Sequence, residues 1–181
     1  MNIVELIAVI FSLLSVILTI KNNIWCWPVG IIGIVFYSIL FYQYNIWGNM
    51  CLQGIFIGQS ILGWYSWNKP KKYPIKWIEK NNRTTVFGLT ALLAVLVYSL
   101  TRNAGGQMPY FDGLTTSLSI VAMILMTYRK IDNWLFWIWA DIIFIGFFYS
   151  TSMYLSTGIY FIFLLLSISG LLQWKMSLKE G

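Results

Sequence analysis

Long runs of Leu, Ile, Val, Phe and Trp occupy positions 2–20, 25–44, 48–67, 85–100, 111–128, 134–150 and 157–174, and short polar or charged segments separate them. Each run approaches the roughly 20 apolar residues that carry a helix across a hydrocarbon core about 30 Å thick. A segment in lipid must satisfy its own backbone N–H and C=O groups, so each run is predicted to be a transmembrane helix. The run at 85–100 is the shortest, yet it contains no charge. The pattern predicts an all-α integral membrane protein of seven spans, with the whole chain, 1–181, as one transmembrane domain. The first run contains Glu5, lacks a basic start and is not followed by an A-x-A-like site, so it reads as a span and not as a cleaved signal.

Charge then fixes an expected orientation. With the N-terminus outside, Lys21, the cluster Lys69, Lys71, Lys72, Lys76, Lys80 and Arg83, the pair Arg129 and Lys130, and Lys175 and Lys179 all fall inside. Eleven of the twelve basic residues then obey the positive-inside rule, and Arg102 alone lies outside. The reading is N-out, C-in. Trp25, Trp47, Trp67 and Trp77 fall near span ends, where indoles settle at the interface.

Composition narrows the chemistry. The chain is 59% hydrophobic and 10% charged, against about 25% charged for soluble chains, and its mean hydropathy is +0.71. It has no His, and Cys26 and Cys51 are its two cysteines. The commonest general base and metal ligand is therefore missing, and a Cys-rich zinc site cannot be assembled. No metal or other cofactor is called for, and no catalytic residues are assigned. The net charge of +6 is spread in short runs between spans, which argues topology and not nucleic-acid binding.

An offset of 110 positions pairs Asn23 with Asn133, Trp27 with Trp137, Tyr44 with Tyr154, Gly48 with Gly158 and Trp64 with Trp174. Basic residues end corresponding runs in the two halves, so the halves read as parallel repeats: three-helix bundles at 2–67 and 111–174. Two like-oriented triplets need one more crossing between them, and 85–100 supplies it as a linker helix, giving a 3+1+3 arrangement. Parallel repeats of this kind occur in transporters that bind substrate near the midplane.

The sixth run carries the strongest polar signal. Trp134, Trp137 and Asp141 are spaced i, i+3 and i+7 and share one helical face. Asp141 lies about 12 Å along that helix, where a carboxylate costs on the order of 2.5–3.5 kcal/mol and usually faces an interior cavity. Gln53, Phe56, Ser60 and Trp64 form a second face, and Tyr160, Phe163 and Ser167 a third. An aromatic pocket with one fixed negative charge suits a flat, cationic, hydroxyl-bearing molecule, to which cation–π attraction adds about 0.5–2 kcal/mol. Of the six acids, Glu5, Glu79, Asp112, Asp132, Asp141 and Glu180, only Asp141 is deep. No ion-coupling relay is legible, so passive uniport is the economical mechanism.

The run Leu118 to Thr127, Asn133-Trp134, the pattern Trp134-x-x-Trp137-x-x-x-Asp141, and Gln53 followed by Gly63-Trp64-Tyr65-Ser66-Trp67 together resemble the bacterial nicotinamide riboside transporter family, PnuC, over nearly the whole chain. The Thr151-Ser152-Met153 turn departs from that pattern in lacking a polar-Gly step. The resemblance implies seven helices in two three-helix bundles, distantly similar to the SWEET sugar transporters, in a bacterial inner membrane. It implies facilitated uptake of nicotinamide riboside as an NAD precursor, with a cytosolic riboside kinase trapping it by phosphorylation. Trp134 and Trp137 would then contact the substrate's rings and Asp141 and Gln53 its ribose or carboxamide, with Phe56, Trp64 and Tyr160 completing the expected site. Relatives on the same fold that carry thiamine or riboflavin are the alternative. A homo-oligomer is possible on this sequence. A membrane enzyme acting on lipid lacks any acid pair, Cys–His pair or Ser–His pair to work with, and a scaffold protein would use Asp141 only as a helix contact.

Overall fold

A computed structural model describes residues 3–43, 47–69, 73–105 and 108–178. Tyr44, Lys71, Lys72, Lys179 and Glu180, invoked above, lie outside these. The described chain is helical: α1 (Ile3–Ile20), α2 (Cys26–Gln43), α3 (Trp47–Trp67), α4 (Lys80–Asn103), α5 (Pro109–Thr127), α6 (Asn133–Ser150) and α7 (Tyr154–Ser177). Among the described residues, α1, α4, α5, α6 and α7 are long and apolar enough to cross a membrane, and α2 offers a shorter apolar stretch, Cys26–Ile39. α3 is more polar, with Gln53, Gln59 and Ser60 along it. The linker helix is longer than its apolar run because Lys80 to Arg83 form its first turn; hydropathy marks where charge begins, not where helix begins. At 24 residues α4 reaches about 36 Å.

Two compact units divide the chain. The first holds α1–α3 together with residues 127–129, and the second holds α4–α7. In the first, α2 packs against both α1 and α3; in the second, α7 packs against α6. Lipid gives apolar faces no hydrophobic drive to associate, so membrane helices are held by close packing at small residues. The first unit shows this at Gly30, where a Cβ would come 2.9 Å from Ser15 Oγ, and at Gly33, where one would come 3.0 Å from Ser12 Oγ. Ser15 Oγ also donates to the Cys26 carbonyl at 2.8 Å, tying α1 to the start of α2.

A seam of indole and glycine closes each unit. Trp27 of α2 stands edge-on to Trp67 of α3, centroids 5.4 Å apart and planes at 88°, and covers Gly63. In the second unit Trp134 of α6 stands edge-on to Trp174 of α7, 5.5 Å and 88°, and covers Gly170. All four indoles are almost wholly buried. The turns match as well. Asn22 and Arg129 both take φ of 51°, and the following N–H groups, of Asn23 and Lys130, each reach back to a carbonyl five residues earlier at 2.9 Å, the left-handed termination that ends a helix cleanly.

Trp27 and Trp134, Trp67 and Trp174, Gly63 and Gly170, and Asn22 and Arg129 are each 107 positions apart. These spacings differ by three from the 110-residue register read from the sequence. Of Trp134 and Trp137, Trp134 is the one that, like Trp27, lies on a glycine.

Inside the second unit, Val121, Ala122 and Leu125 of α5 pack with Phe136 of α6 and with Ile78, which precedes α4. Phe87 of α4 stacks on Phe136 at 5.8 Å, and Gly113 of α5 lies so close to α4 that a Cβ there would sit 2.7 Å from the Ala94 carbonyl oxygen. The segment before α4 is fastened to the α5–α6 turn: the Ile131 N–H donates to the Lys76 carbonyl at 3.0 Å, and the Ile78 N–H donates to Asp132 Oδ2 at 2.7 Å. Asp132 also lies 3.8 Å from the Arg83 guanidinium. In the first unit the Arg129 guanidinium donates to the carbonyls of Trp67 and Tyr73 at 3.2 and 3.3 Å and lies 4.7 Å above the Trp67 ring. Burial pulls the pKa of this guanidinium down.

Two outcomes are expected. Gly63→Val and Gly170→Val each force apart an indole seam and should destabilise the purified protein by about 1–3 kcal/mol, read as a lowered thermal midpoint in detergent; Gly58→Ala and Gly146→Ala, where a Cβ meets nothing within 4 Å, should not lower it. Asp132→Ala strands the Ile78 N–H at a cost of about 1–3 kcal/mol. Limited proteolysis should then cut the segment before α4 faster than in the parent.

Candidate substrate site

α6 and α7 run antiparallel from the Thr151-Ser152-Met153 turn, where Ser152 takes φ of 58°. Their seam is a sequence of paired side chains. At one end Trp134 meets Trp174 and Gly170. Two turns along α6, Asp141 accepts a hydrogen bond from Ser167 Oγ at 3.0 Å. Further along, Tyr160 stacks on Phe144 at 4.3 Å and on Phe148 at 5.3 Å, with Phe163 6.0 Å away. Phe111 of α5 stacks on Phe147 at 4.1 Å and meets Phe144 edge-on at 5.4 Å.

Asp141 is 5% exposed. Among the described residues it makes no ion pair, and Ser167 is its hydrogen-bond donor. A carboxylate can accept about four hydrogen bonds, so one hydroxyl leaves most of that capacity open. The first unit shows what the position looks like without an acid. Ile34 occupies the equivalent place, and Ser60, equivalent to Ser167, turns its hydroxyl to the Phe56 carbonyl of its own helix at 2.8 Å. The serine is common to both units; the acid belongs to the second alone.

The expected site residues are distributed as follows. Asp141 and Tyr160 lie on the α6–α7 seam, and Phe144, one turn beyond Asp141, stacks on Tyr160. Trp137, one turn before Asp141, is half-buried and leans on the core of Ile78, Val121, Ala122, Leu125 and Phe136. Trp134 is 1% exposed and packs against Trp174 and Gly170. Gln53 and Phe56 lie half-buried on α3. Trp64 is 37% exposed, 6.0 Å from the ring of Trp25. Phe144 and Phe148 were not anticipated. Their signal was present in the sequence, since they follow Asp141 by three and seven positions on the same helical face.

The family profile described as "Nicotinamide mononucleotide transporter" matches residues 2–176. The "Nicotinamide riboside transporter PnuC" of Escherichia coli is 24% identical, over 98% of this chain and 87% of the relative. The "Riboflavin/roseoflavin transporter RibM" of Streptomyces davaonensis is 21% identical, over 94% of this chain and 83% of that protein. The fold matches a solved structure described as the crystal structure of the vitamin B3 transporter PnuC, with a TM-score of 0.82 at 20% identity, over 98% of this chain and 82% of the other. A match running through all seven helices makes the chain a member of the nicotinamide mononucleotide transporter family, a family of multi-pass membrane transporters and not of enzymes.

Proposed function

We propose that the protein carries nicotinamide riboside across a bacterial inner membrane by facilitated uniport, oriented N-out and C-in. Its helices form a 3+1+3 arrangement of two parallel three-helix repeats, with α4 as the extra crossing. The turns, seams and helix starts that recur at 107 positions support the repeat, and the basic segments before α4 and in the α5–α6 turn support the orientation.

One observation carries the choice of substrate: a buried carboxylate held by a single serine hydroxyl, with no cation beside it among the described residues. A riboside whose pyridinium ring is a permanent cation balances that charge. A mononucleotide adds a phosphate that the same carboxylate repels, so Asp141 selects against it. Trp137 offers an indole face to the cationic ring and Tyr160 a second aromatic surface, with Asp141 and Gln53 accepting or donating to ribose hydroxyls or the carboxamide. Phe56 and Trp64 complete the assignment on α3. Trp134 acts beneath these residues, through the seam that fixes where Asp141 stands. An inside-negative potential draws a monocation inward by about 2.3 kcal/mol per 100 mV, and phosphorylation by a cytosolic kinase then removes the product from equilibrium. The substrate is thus a small cation, with lipid as the surrounding partner; homo-oligomerisation is compatible with this scheme.

Riboflavin is the second reading, favoured by the relative named for it and by the stacked rings of Phe144, Tyr160 and Phe148. Charge separates the two, because riboflavin is neutral.

In proteoliposomes, labelled nicotinamide riboside should enter without a proton or sodium gradient and faster at inside-negative potential; a strict requirement for either gradient at clamped potential would overturn uniport. Asp141→Asn should reduce riboside uptake at least about tenfold, the loss expected when a desolvated charge loses its partner, without loss of folded protein. Titration calorimetry should show riboside binding weakened by about 1 kcal/mol or more in Trp137→Ala. Tighter binding of riboflavin or thiamine than of the riboside by the unaltered protein would reassign the vitamin.

A further inference from the structure

A cleft of about 310 Å³ opens on the second unit between α4, α5 and α6. None of the expected substrate residues lines it. Its floor and walls are apolar, with Phe87, Ala91 and Ala94 from α4, Leu114 and Leu118 from α5, and Trp139 from α6. Phe87, Leu114 and Trp139 are more than half, or half, exposed, so the cleft opens outward from the unit. One end is polar: Arg83 and Asp132 close it.

That polar end is strongly basic. A parallel bridge sets Lys76 beside Lys130, two residues before Ile78 and Asp132 respectively, both of which line the cleft. Lys80 and Arg83 follow in the first turn of α4. The two acids present are already engaged: Glu79 lies 3.8 Å from the Lys76 ammonium, and Asp132 takes the Ile78 N–H and Arg83. The Lys130 ammonium is destabilised by burial and by the neighbouring charge of Lys76, which push its pKa down. Two ammonium groups held side by side by the backbone gain most from an anion placed against both.

The length of the cleft identifies what fills the rest. From Arg83 to Ala94 along α4 is about 16 Å, half the roughly 30 Å hydrocarbon thickness of a bilayer. A basic end and one leaflet's depth of apolar wall match one lipid in one leaflet.

We propose that this cleft is a binding site for an anionic phospholipid of the leaflet facing the basic segment, its phosphate held by Lys76, Lys130 and Arg83 and one acyl chain lying along α4 between Phe87 and Trp139. The site rests on the membrane embedding of these helices and is independent of the vitamin carried.

Native mass spectrometry of the detergent-purified full chain tests it, with phosphatidylglycerol and phosphatidylcholine of identical acyl chains as probes. The intact protein should retain phosphatidylglycerol in preference. Lys76→Gln and Lys130→Gln, both in exposed or half-exposed positions where folding is not at stake, should each cost about fivefold in phosphatidylglycerol retention, the contribution of one basic residue at an anionic surface, with phosphatidylcholine unchanged. Ala91→Phe, which fills the cleft, should reduce retention of both lipids. Equal retention of the two lipids by the unaltered protein, or no effect of the lysine substitutions, would overturn the proposal. So would displacement of phosphatidylglycerol by millimolar inorganic phosphate, which would make this a free-phosphate site, or a homo-oligomer abolished by Ala91→Phe, which would put a second copy of the chain in the cleft.

Discussion

Helices surrounded by hydrocarbon gain nothing from hiding one apolar face against another, because the lipid is as apolar as the neighbour. What holds them is contact, and contact at short range requires one side to have no side chain. The seam of Trp134 over Gly170, edge-on to Trp174, meets that requirement between α6 and α7. Because both helices are rigid, the seam fixes everything further along them, including the register that sets Ser167 opposite Asp141. A three-atom hydroxyl bridge in the middle of the seam could not create that register by itself, since an interhelical hydrogen bond in a membrane protein is worth well under 2 kcal/mol. The indoles determine the position and the hydroxyl refines it.

The two units are built on one pattern and differ where chemistry is wanted. Both use a buried indole on a glycine, a second indole edge-on, a left-handed turn before the second helix, and a buried serine in the third. The first unit then has Gly30 and Ile34 where the second has Trp137 and Asp141. Gly30 admits Ser15 at close range, so α1 and α2 press together; Trp137, 107 positions further on, packs against the core that includes Ala122 and stays partly exposed. The first unit has a small residue and an isoleucine at these places, the second an aromatic ring and an acid. On the proposed reading one fixed charge suffices for a monovalent cation, and a second acid at position 34 would double the desolvation cost.

Much of this was legible from residues alone. The seven helices follow from apolar runs that lipid forces into helix, and Asp141 stands out because a deep carboxylate must have a reason. The extent of α4 was underestimated because Lys80 to Arg83 are polar, and polarity says nothing against helix at an interface. Matching features of the two units recur at 107 positions, whereas the sequence register was 110, because a count of rare residues does not distinguish Trp134 from Trp137 and only Trp134 covers a glycine. The same ambiguity bears on Trp134, expected at the ligand and found packed between Trp174 and Gly170. A periodicity argument puts Trp134, Trp137 and Asp141 on one face; it does not say which part of that face a neighbouring helix has already taken.

The distinction bears on how selectivity arises. Were both indoles ligand walls, the proposed site would favour any flat ring. With Trp134 packed in the seam, discrimination on the proposed reading rests on fewer groups, chiefly the charge of Asp141 and the ring of Trp137. Stacking tolerates any aromatic substrate, whereas an unneutralised buried carboxylate penalises every neutral or anionic one by leaving its charge without a partner. On the proposed reading, a change of cargo would need a change at position 141 of α6, with the indole seam beneath it left alone.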